Sequence, residues 1–143
     1  MNVHDAQYRV IDHTADVGYV CRGSSLALLF ETCAVSLAAI MFGTERMGHP
    51  AVSEQIEIDA GSVDLLLVHF LNEILYLWET ARLVPSEVNV RSITEMHMSA
   101  RVRGERYDPG RHEVLCEVKA ATYHMLSVEQ CEDGWKAEVI FDV

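Results

Sequence analysis

Residues 12–16 bring together the side chains with the clearest potential for chemistry. The sequence there is Asp12-His13-Thr14-Ala15-Asp16, so two carboxylates, an imidazole and a hydroxyl lie between two apolar segments. Hard cations such as Ca²⁺, Mg²⁺ and Mn²⁺ take oxygen ligands, and paired carboxylates neutralise part of their charge. A turn that brings the oxygens of Asp12 and Asp16 together would form a metal site. The alternative is that both aspartates cap the turn through their neighbouring backbone groups.

The last residues of the sequence, Phe141-Asp142-Val143, extend the metal hypothesis. They end an alternating apolar segment, and a strand that runs to the last residue would hold the Asp142 side chain and the α-carboxylate of Val143 in place. If that strand end lies beside the turn at 12–16, several carboxylates converge, and such a cluster repels itself without a cation. An ordinary exposed terminus is the alternative interpretation.

A third group of polar residues lies between 111 and 124. Glu117 and Lys119 share one face of a predicted strand, Arg111-His112 precede it, and His124 follows it. Lysine and histidine suit general acid–base or phosphate-binding roles, but no pairing of a nucleophile with a base is evident. A solvated strand face and a structural histidine explain the same pattern.

Two helices are predicted to position these groups. Apolar residues recur at three- and four-residue spacing over 25–42 and again over 62–81. Ser24 or Ser25 can cap the first helix and Gly43 can end it, whereas Ser62 can cap the second.

Strands account for most of the remaining sequence. Alternation of apolar and polar residues predicts strands at 8–11, 17–21, 56–58, 96–103, 116–123 and 135–143. Asp108-Pro109-Gly110 and Glu132-Asp133-Gly134 supply turn residues between them. We therefore predict an α+β fold, a single compact domain over residues 1–143 in which two long helices pack on a mainly antiparallel sheet.

Composition excludes several classes of protein. The 143 residues carry 11 basic and 22 acidic side chains, a net charge of −11 that favours a cation or a basic protein partner over nucleic acid. No apolar run approaches the roughly 20 residues of a membrane span, and the N-terminus lacks the pattern of a secretory signal. The four cysteines have no zinc-ligand spacing, which predicts reduced thiols and a cytoplasmic protein.

Sequence motifs of self-contained enzymes are missing. The sequence has no phosphate-binding loop, no dinucleotide-binding glycine motif, no nucleophile elbow and no zinc-protease motif. An NTPase, a dehydrogenase or a serine hydrolase is therefore disfavoured. A small hydrolase that uses the carboxylates with a metal remains the weakest of the open alternatives.

Four segments together resemble the archease family over nearly the whole chain. They are Asp12-His13-Thr14-Ala15-Asp16, the helical residues 64–66 with 70–73, the segment 117–124, and the closing Ile140-Phe141-Asp142-Val143. The resemblance implies a compact protein, itself not an enzyme, that activates an RtcB-type RNA ligase. That ligase uses GTP and a divalent metal in tRNA splicing. Proteins of the archease family promote guanylylation of the ligase's active-site histidine and allow the ligase multiple turnovers.

The resemblance also implies which residues act. Carried over to this sequence, the metal ligands would be Asp12, Asp16, Asp142 and the carboxylate of Val143, with Ca²⁺ the first expectation and Mg²⁺ or Mn²⁺ the alternatives. The weaker candidates for contacting the ligase or its nucleotide are Arg111, His112, Lys119 and His124. On this interpretation tRNA is reached only through the ligase, with no membrane contact and no stable direct binding of nucleic acid. A general chaperone or adaptor without a metal-dependent role is the competing hypothesis.

Overall fold

The computed structural model of this chain describes residues 8–12, 16–44 and 50–143, with backbone only at residues 11 and 12. The elements follow in the order β1 (Tyr8–Asp12), β2 (Asp16–Gly23), α1 (Leu26–Phe42), β3 (Val52–Asp59), α2 (Val63–Ala81), β4 (Leu83–Ile93), β5 (His97–Arg106), β6 (Ala120–Ala121), β7 (Ser127–Cys131) and β8 (Gly134–Asp142). His13, Thr14 and Ala15 of the first motif lie outside the described residues.

The strands form two antiparallel sheets. One has the order β1-β2-β8-β6, with β7 also paired to β8, and the other has the order β3-β5-β4. The expected fold class is confirmed, with the refinement that the strands are divided between two sheets.

Helix α1 lies between the two sheets. The Ser25 hydroxyl accepts a hydrogen bond from the Leu28 N–H at 3.1 Å, and Gly43 ends the helix with φ 81°, a conformation that glycine adopts without strain. Buried residues occur on every side of the helix, and it contacts β2 and β8 of one sheet and β4 of the other. A helix that is apolar all round is a buried one.

Helix α2 is amphipathic. Ser62 caps it by accepting from the Leu65 N–H at 3.3 Å, and Arg82 ends it in the left-handed conformation with φ 53°. One side packs into the core, while His69 and Tyr76 on the other side are exposed. Neither helix has the length and apolar content that a membrane crossing requires within the described part of the chain.

The prediction of a strand at 116–123 is wrong over most of that range. Only Ala120 and Ala121 pair with β8, whereas the N–H groups of Leu115 and Cys116 donate to the Met41 carbonyl at the end of α1. Exposed and more buried side chains still alternate over residues 115–120, although only residues 119–122 are hydrogen-bonded to β8.

Strand β4 is the main element that the pattern did not predict. It is an edge strand with register irregularities at Pro85/Glu87 and Val90/Ser92. These bulges interrupt the two-residue period, and proline, which lacks an N–H, is tolerated at such an edge position.

Candidate metal and partner-binding site

Asp16 and Asp142 are direct cross-strand partners in the ladder between β2 and β8. The next pair is Val17 with Phe141, and Phe141 is fully buried in the core. Because side chains alternate along a strand, Asp16 and Asp142 share the opposite face of the sheet. Directly opposite residues have Cβ atoms about 4.5–5.5 Å apart, so the two aspartate side chains start close together on this face.

The end of β8 is held from both sides. Asp16 pairs with Asp142 across one edge, and Ala120 of β6 pairs with it across the other. The Lys119 N–H donates to the Asp142 carbonyl at 2.9 Å, and the Thr122 N–H and hydroxyl both donate to the Ile140 carbonyl. The Asp142 backbone therefore has a defined position although its side chain is exposed.

The β2–β8 contact is unusually close beside this pair. A Cβ added to Gly18 would lie 2.6 Å from both the Ile140 Cδ1 atom and the Val139 carbonyl oxygen. Only glycine permits this approach, which keeps the strands in the register that opposes Asp16 to Asp142.

The donor chemistry fits a hard divalent cation. Two opposed carboxylates repel each other, and a cation that accepts oxygen ligands removes that repulsion. Among the described side chains, no three or more His, Cys, Asp or Glu residues form a group that could hold a metal. The Asp12 side chain is not among the described ones; the Asp12 backbone pairs with Val17, the residue after Asp16. The further ligands that Ca²⁺ requires therefore stay predictions, at Asp12 and at the Val143 carboxylate.

Asn72 ties α2 to the strand beside the aspartate pair. Its Nδ2 donates to the Ala121 carbonyl at 3.2 Å and its Oδ1 accepts from the Ala121 N–H at 2.7 Å. The Ala121 backbone groups on this side have no neighbouring strand to bond within the described part of the chain. The Asn72 side-chain amide takes the place of such a strand and satisfies both groups.

A groove of ≈ 540 Å³ runs along α2 next to that contact. Its lining includes Asn72, Tyr76, Glu79, Glu117 and Lys119, and it reaches Ala120, which pairs with Asp142. Tyr76 is 59% exposed. The groove thus combines an aromatic ring with charges of both signs, a composition that suits a protein partner.

Arg111 and His112 belong to a second cluster, at the end of β5. The Asp108 N–H donates to Nδ1 of His112 at 2.9 Å, so Nε2 carries the proton and donates to Oε1 of Glu105 at 2.8 Å. Arg111 pairs with the other oxygen of Glu105, and the Tyr107 ring stacks on His112. The His112 side chain is 1% exposed, so it organises this loop from inside while Arg111 lies at the surface.

Burial determines the protonation of the thiols and of the phenol beneath the sheet. Burial raises the pKa of Tyr19, whose hydroxyl donates to the Cys33 carbonyl at 2.7 Å, and raises the pKa of Cys21. Burial, with a smaller contribution from Glu117, also raises the pKa of Cys116. These thiols stay protonated at neutral pH and are poor nucleophiles and metal ligands.

The model of the Archease protein family (MTH1598/TM1083) matches residues 8–143. The chain belongs to the archease family. Among its archease relatives, the protein from Methanosarcina barkeri is 32% identical over 147 residues and the match covers 100% of both chains. The archease of Thermococcus kodakarensis is 35% identical over 136 residues, with 92% of this chain and 95% of the relative covered.

Solved structures give the same fold for the archease chain. The solution structure of Methanobacterium thermoautotrophicum protein 1598 matches with a TM-score of 0.82 and 31% identity over 96% of this chain and 99% of the other. The crystal structure of a Thermotoga maritima archease, described as a possible chaperone, matches with a TM-score of 0.65 and 22% identity, covering 93% and 94% of the two chains.

The candidate residues of this archease thus fall into two groups. Asp16 and Asp142 are cross-strand partners, and the backbone N–H of Lys119 donates to the Asp142 carbonyl. Arg111 and His112 contact Glu105 of β5 instead. His124 is exposed just beyond β6, where its N–H donates to the Thr122 hydroxyl at 3.3 Å. The aspartate pair and the groove are therefore treated as one candidate site. The Glu105 cluster is a separate group, because its contacts are with Arg111 and His112.

Sequence reasoning did not assign roles to Asn72 and Glu105. Asn72 carried a usable signal, because it is a polar residue on the same side of α2 as buried apolar residues and therefore needs a hydrogen-bond partner. Glu105 gave no such signal, since its place in the alternating pattern of β5 is that of an ordinary exposed residue.

Proposed function

We propose that this archease-family chain is a metal-binding activator of an RtcB-type RNA ligase, which it assists in the cytoplasm during tRNA splicing. It would promote guanylylation of the ligase's active-site histidine from GTP and so support multiple turnovers of ligation. The observation that carries the proposal is the opposition of Asp16 and Asp142 across the β2–β8 ladder, together with family membership.

The proposed metal ligands are Asp16 and Asp142, completed by Asp12 and the carboxylate of Val143. A bound Ca²⁺, Mg²⁺ or Mn²⁺ would supply positive charge that offsets the repulsion of these carboxylates. The backbone contacts of Asp142 with Lys119 and Ala120 fix the position of its backbone at the end of β8. The consequence for the chain is a rigid end of β8 beside the groove.

Activation is proposed to work through selective binding. A protein that binds one conformer of the ligase more tightly than another shifts the population toward it, and only the difference in affinity counts. The α2 groove would contact the ligase, with the Tyr76 ring as an aromatic contact and the exposed Lys119 ammonium available to an acidic group. In this account the chain performs no bond-making step itself, and Lys119, Arg111 and His124 contact the partner.

The test is the rate at which the cognate ligase becomes guanylylated with GTP, measured with and without this chain. Wild-type protein is expected to accelerate guanylylation and to permit multiple turnovers of RNA ligation, whereas Asp142→Ala is expected to lose most of the acceleration. Glu138→Ala is the matched control, since Glu138 lies on the same face of β8 and pairs with Val20 instead of Asp16. Equal acceleration by Asp142→Ala and wild type contradicts the proposed role of the site.

A general chaperone is the second candidate, favoured by several large apolar side chains that are exposed. Tyr76, Leu115, Tyr123 and Met125 are each more than half exposed, and the Thermotoga maritima relative is described as a possible chaperone. A chaperone would suppress aggregation of unrelated client proteins in the absence of the ligase. A ligase-specific activator would not.

A further inference from the structure

Strand β3 is an open edge of its sheet. The sheet has the order β3-β5-β4, so β3 pairs with β5 on one side, and no other described residue pairs with its second side. On β4, in contrast, the N–H of Val90 donates to Oε2 of Glu31 on α1 at 2.8 Å. An uncovered strand edge presents a row of backbone groups that can bind another extended chain.

The ladder with β5 determines which β3 residues face the open edge. The Ala60 N–H donates to the Met96 carbonyl at 2.9 Å, and these two residues continue the register of β3 and β5. Hydrogen-bonded and non-hydrogen-bonded pairs alternate in an antiparallel ladder, so every second residue of β3 directs its N–H and C=O groups away from β5. These residues are all exposed, and they are Ser53, Gln55, Glu57 and Asp59.

A groove of ≈ 380 Å³ lies between β3 and α2. It is lined by Ile58 of β3 and by His69, Asn72, Glu73 and Tyr76 of α2. Because side chains alternate along a strand, a chain added at β3 would direct every second side chain to the α2 side of the sheet and the others to the outer side. Strand addition obtains affinity from main-chain hydrogen bonds and specificity from positions for alternate side chains.

The charge of this edge indicates what it binds. Strand β3 and helix α2 together contain six acidic residues and no lysine or arginine. The side chains of Glu57 and Asp59 are 64% and 85% exposed, although His97 contacts both. The arginines of β5 at 101 and 103 oppose the uncharged residues 55 and 53 instead. The half of the edge at Glu57 and Asp59 is therefore acidic and complements a basic segment.

We propose that the open edge of β3 binds an extended segment of a protein partner as an additional antiparallel strand. Basic side chains of that segment lie opposite Glu57 and Asp59, and its apolar side chains face α2. A second copy of this chain is the alternative occupant. It is disfavoured because pairing two copies combines the acidic residues of both edges and brings together two chains of net charge −11. The proposal does not depend on the proposed metal site, which lies on β2 and β8 of the other sheet.

The test is fluorescence anisotropy of a labelled peptide added to the full chain. The peptide matches β3 in length, with lysine at its first and third positions, threonine at its fifth and seventh, and valine at the others. Methylation of the lysine and threonine backbone nitrogens should weaken binding about tenfold, because these N–H groups face β3 in an antiparallel addition. Methylation of the valine nitrogens alters N–H groups that face away, and that control peptide should bind like the parent.

Variants of the chain test the charge and the backbone separately. Glu57→Gln/Asp59→Asn should bind the parent peptide several-fold more weakly and with less dependence on salt. The control Glu132→Gln/Asp133→Asn makes the same change in the exposed turn before β8 and should bind like wild type. Gln55→Pro removes an N–H that faces the open edge and leaves the ladder with β5 intact, so it should weaken binding while the chain stays folded.

Four outcomes overturn the proposal. They are no binding of the parent peptide, equal binding of the two methylated peptides, equal weakening by the two double variants, and a wild-type dimer that Gln55→Pro abolishes, which would assign the edge to a second copy. Hydrogen exchange gives a second readout, because the peptide should slow exchange of the Gln55 and Glu57 amides and leave that of Ile56, already bonded to β5, unchanged. Ca²⁺ titration of Gln55→Pro should match wild type, so failure of peptide binding and failure of the metal site are separate results.

Discussion

Asp16, at the start of β2, and Asp142, at the end of β8, are direct cross-strand partners although they are 126 positions apart in the sequence. The adjacent cross-strand pair is Val17 with Phe141; Phe141 is fully buried and Val17 is partly buried. The core therefore fixes the register of the two strands, and this register places Asp16 opposite Asp142.

Removal of one carboxylate should affect stability in opposite directions with and without a cation. With a chelator present, Asp142→Asn is expected to raise the free energy of unfolding by up to about 1 kcal/mol, because it removes a repulsive cross-strand pair. With millimolar Ca²⁺ the wild type should gain stability that the variant does not. Thermal melts in both conditions test this, with Glu138→Gln as control; an equal shift of the variant in both would contradict a cation at the pair.

Asn72→Ala should destabilise the junction between α2 and β6. The substitution leaves the Ala121 N–H and carbonyl without their partner, and an unsatisfied buried group costs about 1–3 kcal/mol. Urea unfolding should therefore show a loss of about 2 kcal/mol or more. Asn89→Ala, an exposed asparagine on β4, should change stability by less than about 0.5 kcal/mol. Similar losses for the two variants would show that the Asn72 contacts carry no special weight.

The imidazole of His112 should be a fixed tautomer. Its acceptance from the Asp108 N–H requires the proton on Nε2, and ¹⁵N chemical shifts of the ring report this directly. His112→Ala should cost about 2–3 kcal/mol because it leaves the largely buried Glu105 carboxylate of β5 without one of its two partners. His97→Ala, whose side chain is 42% exposed, should cost far less. Rapid exchange between tautomers would contradict the described loop.

Alkaline pH should destabilise the fold through Cys21 and Tyr19. Burial raises the pKa of both groups in the folded chain above the unfolded values, which are about 8.5 for Cys and about 10 for Tyr. Stability is therefore complete below the unfolded pKa of Cys21 and declines as pH rises above it. Urea unfolding between neutral pH and pH 10 should show this decline, and Cys21→Ala should have a flatter profile despite lower stability at pH 7. Parallel profiles would contradict the assignment.

The helices and most strands follow from local patterns in the sequence. Ser25, Ser62 and Gly43 lie at the helix ends as predicted, because capping depends on a few neighbouring residues. Strand β3 extends over Val52–Asp59, beyond the predicted 56–58, because pairing with β5 recruits residues whose own pattern is weak.

The candidate site depends on long-range register, which local pattern cannot supply. The sequence indicates Asp16 and Asp142 as candidates, but their opposition is a property of the β2–β8 pairing. The contact of Asn72 with Ala121 likewise joins residues 49 positions apart. The sequence predicts a partner contact for His112, because residue spacing does not reveal that its side chain is buried between Glu105 and Tyr107.

Calorimetric titration with Ca²⁺ tests the central claim most directly. Wild-type chain should bind the cation, Glu138→Gln should bind like wild type, and Asp16→Asn and Asp142→Asn should each lose most of the affinity, with Mg²⁺ and Mn²⁺ titrated in parallel. Unchanged affinity in both aspartate variants, or no binding of any of the three cations by the wild type, would contradict the metal site at the junction of β2 and β8.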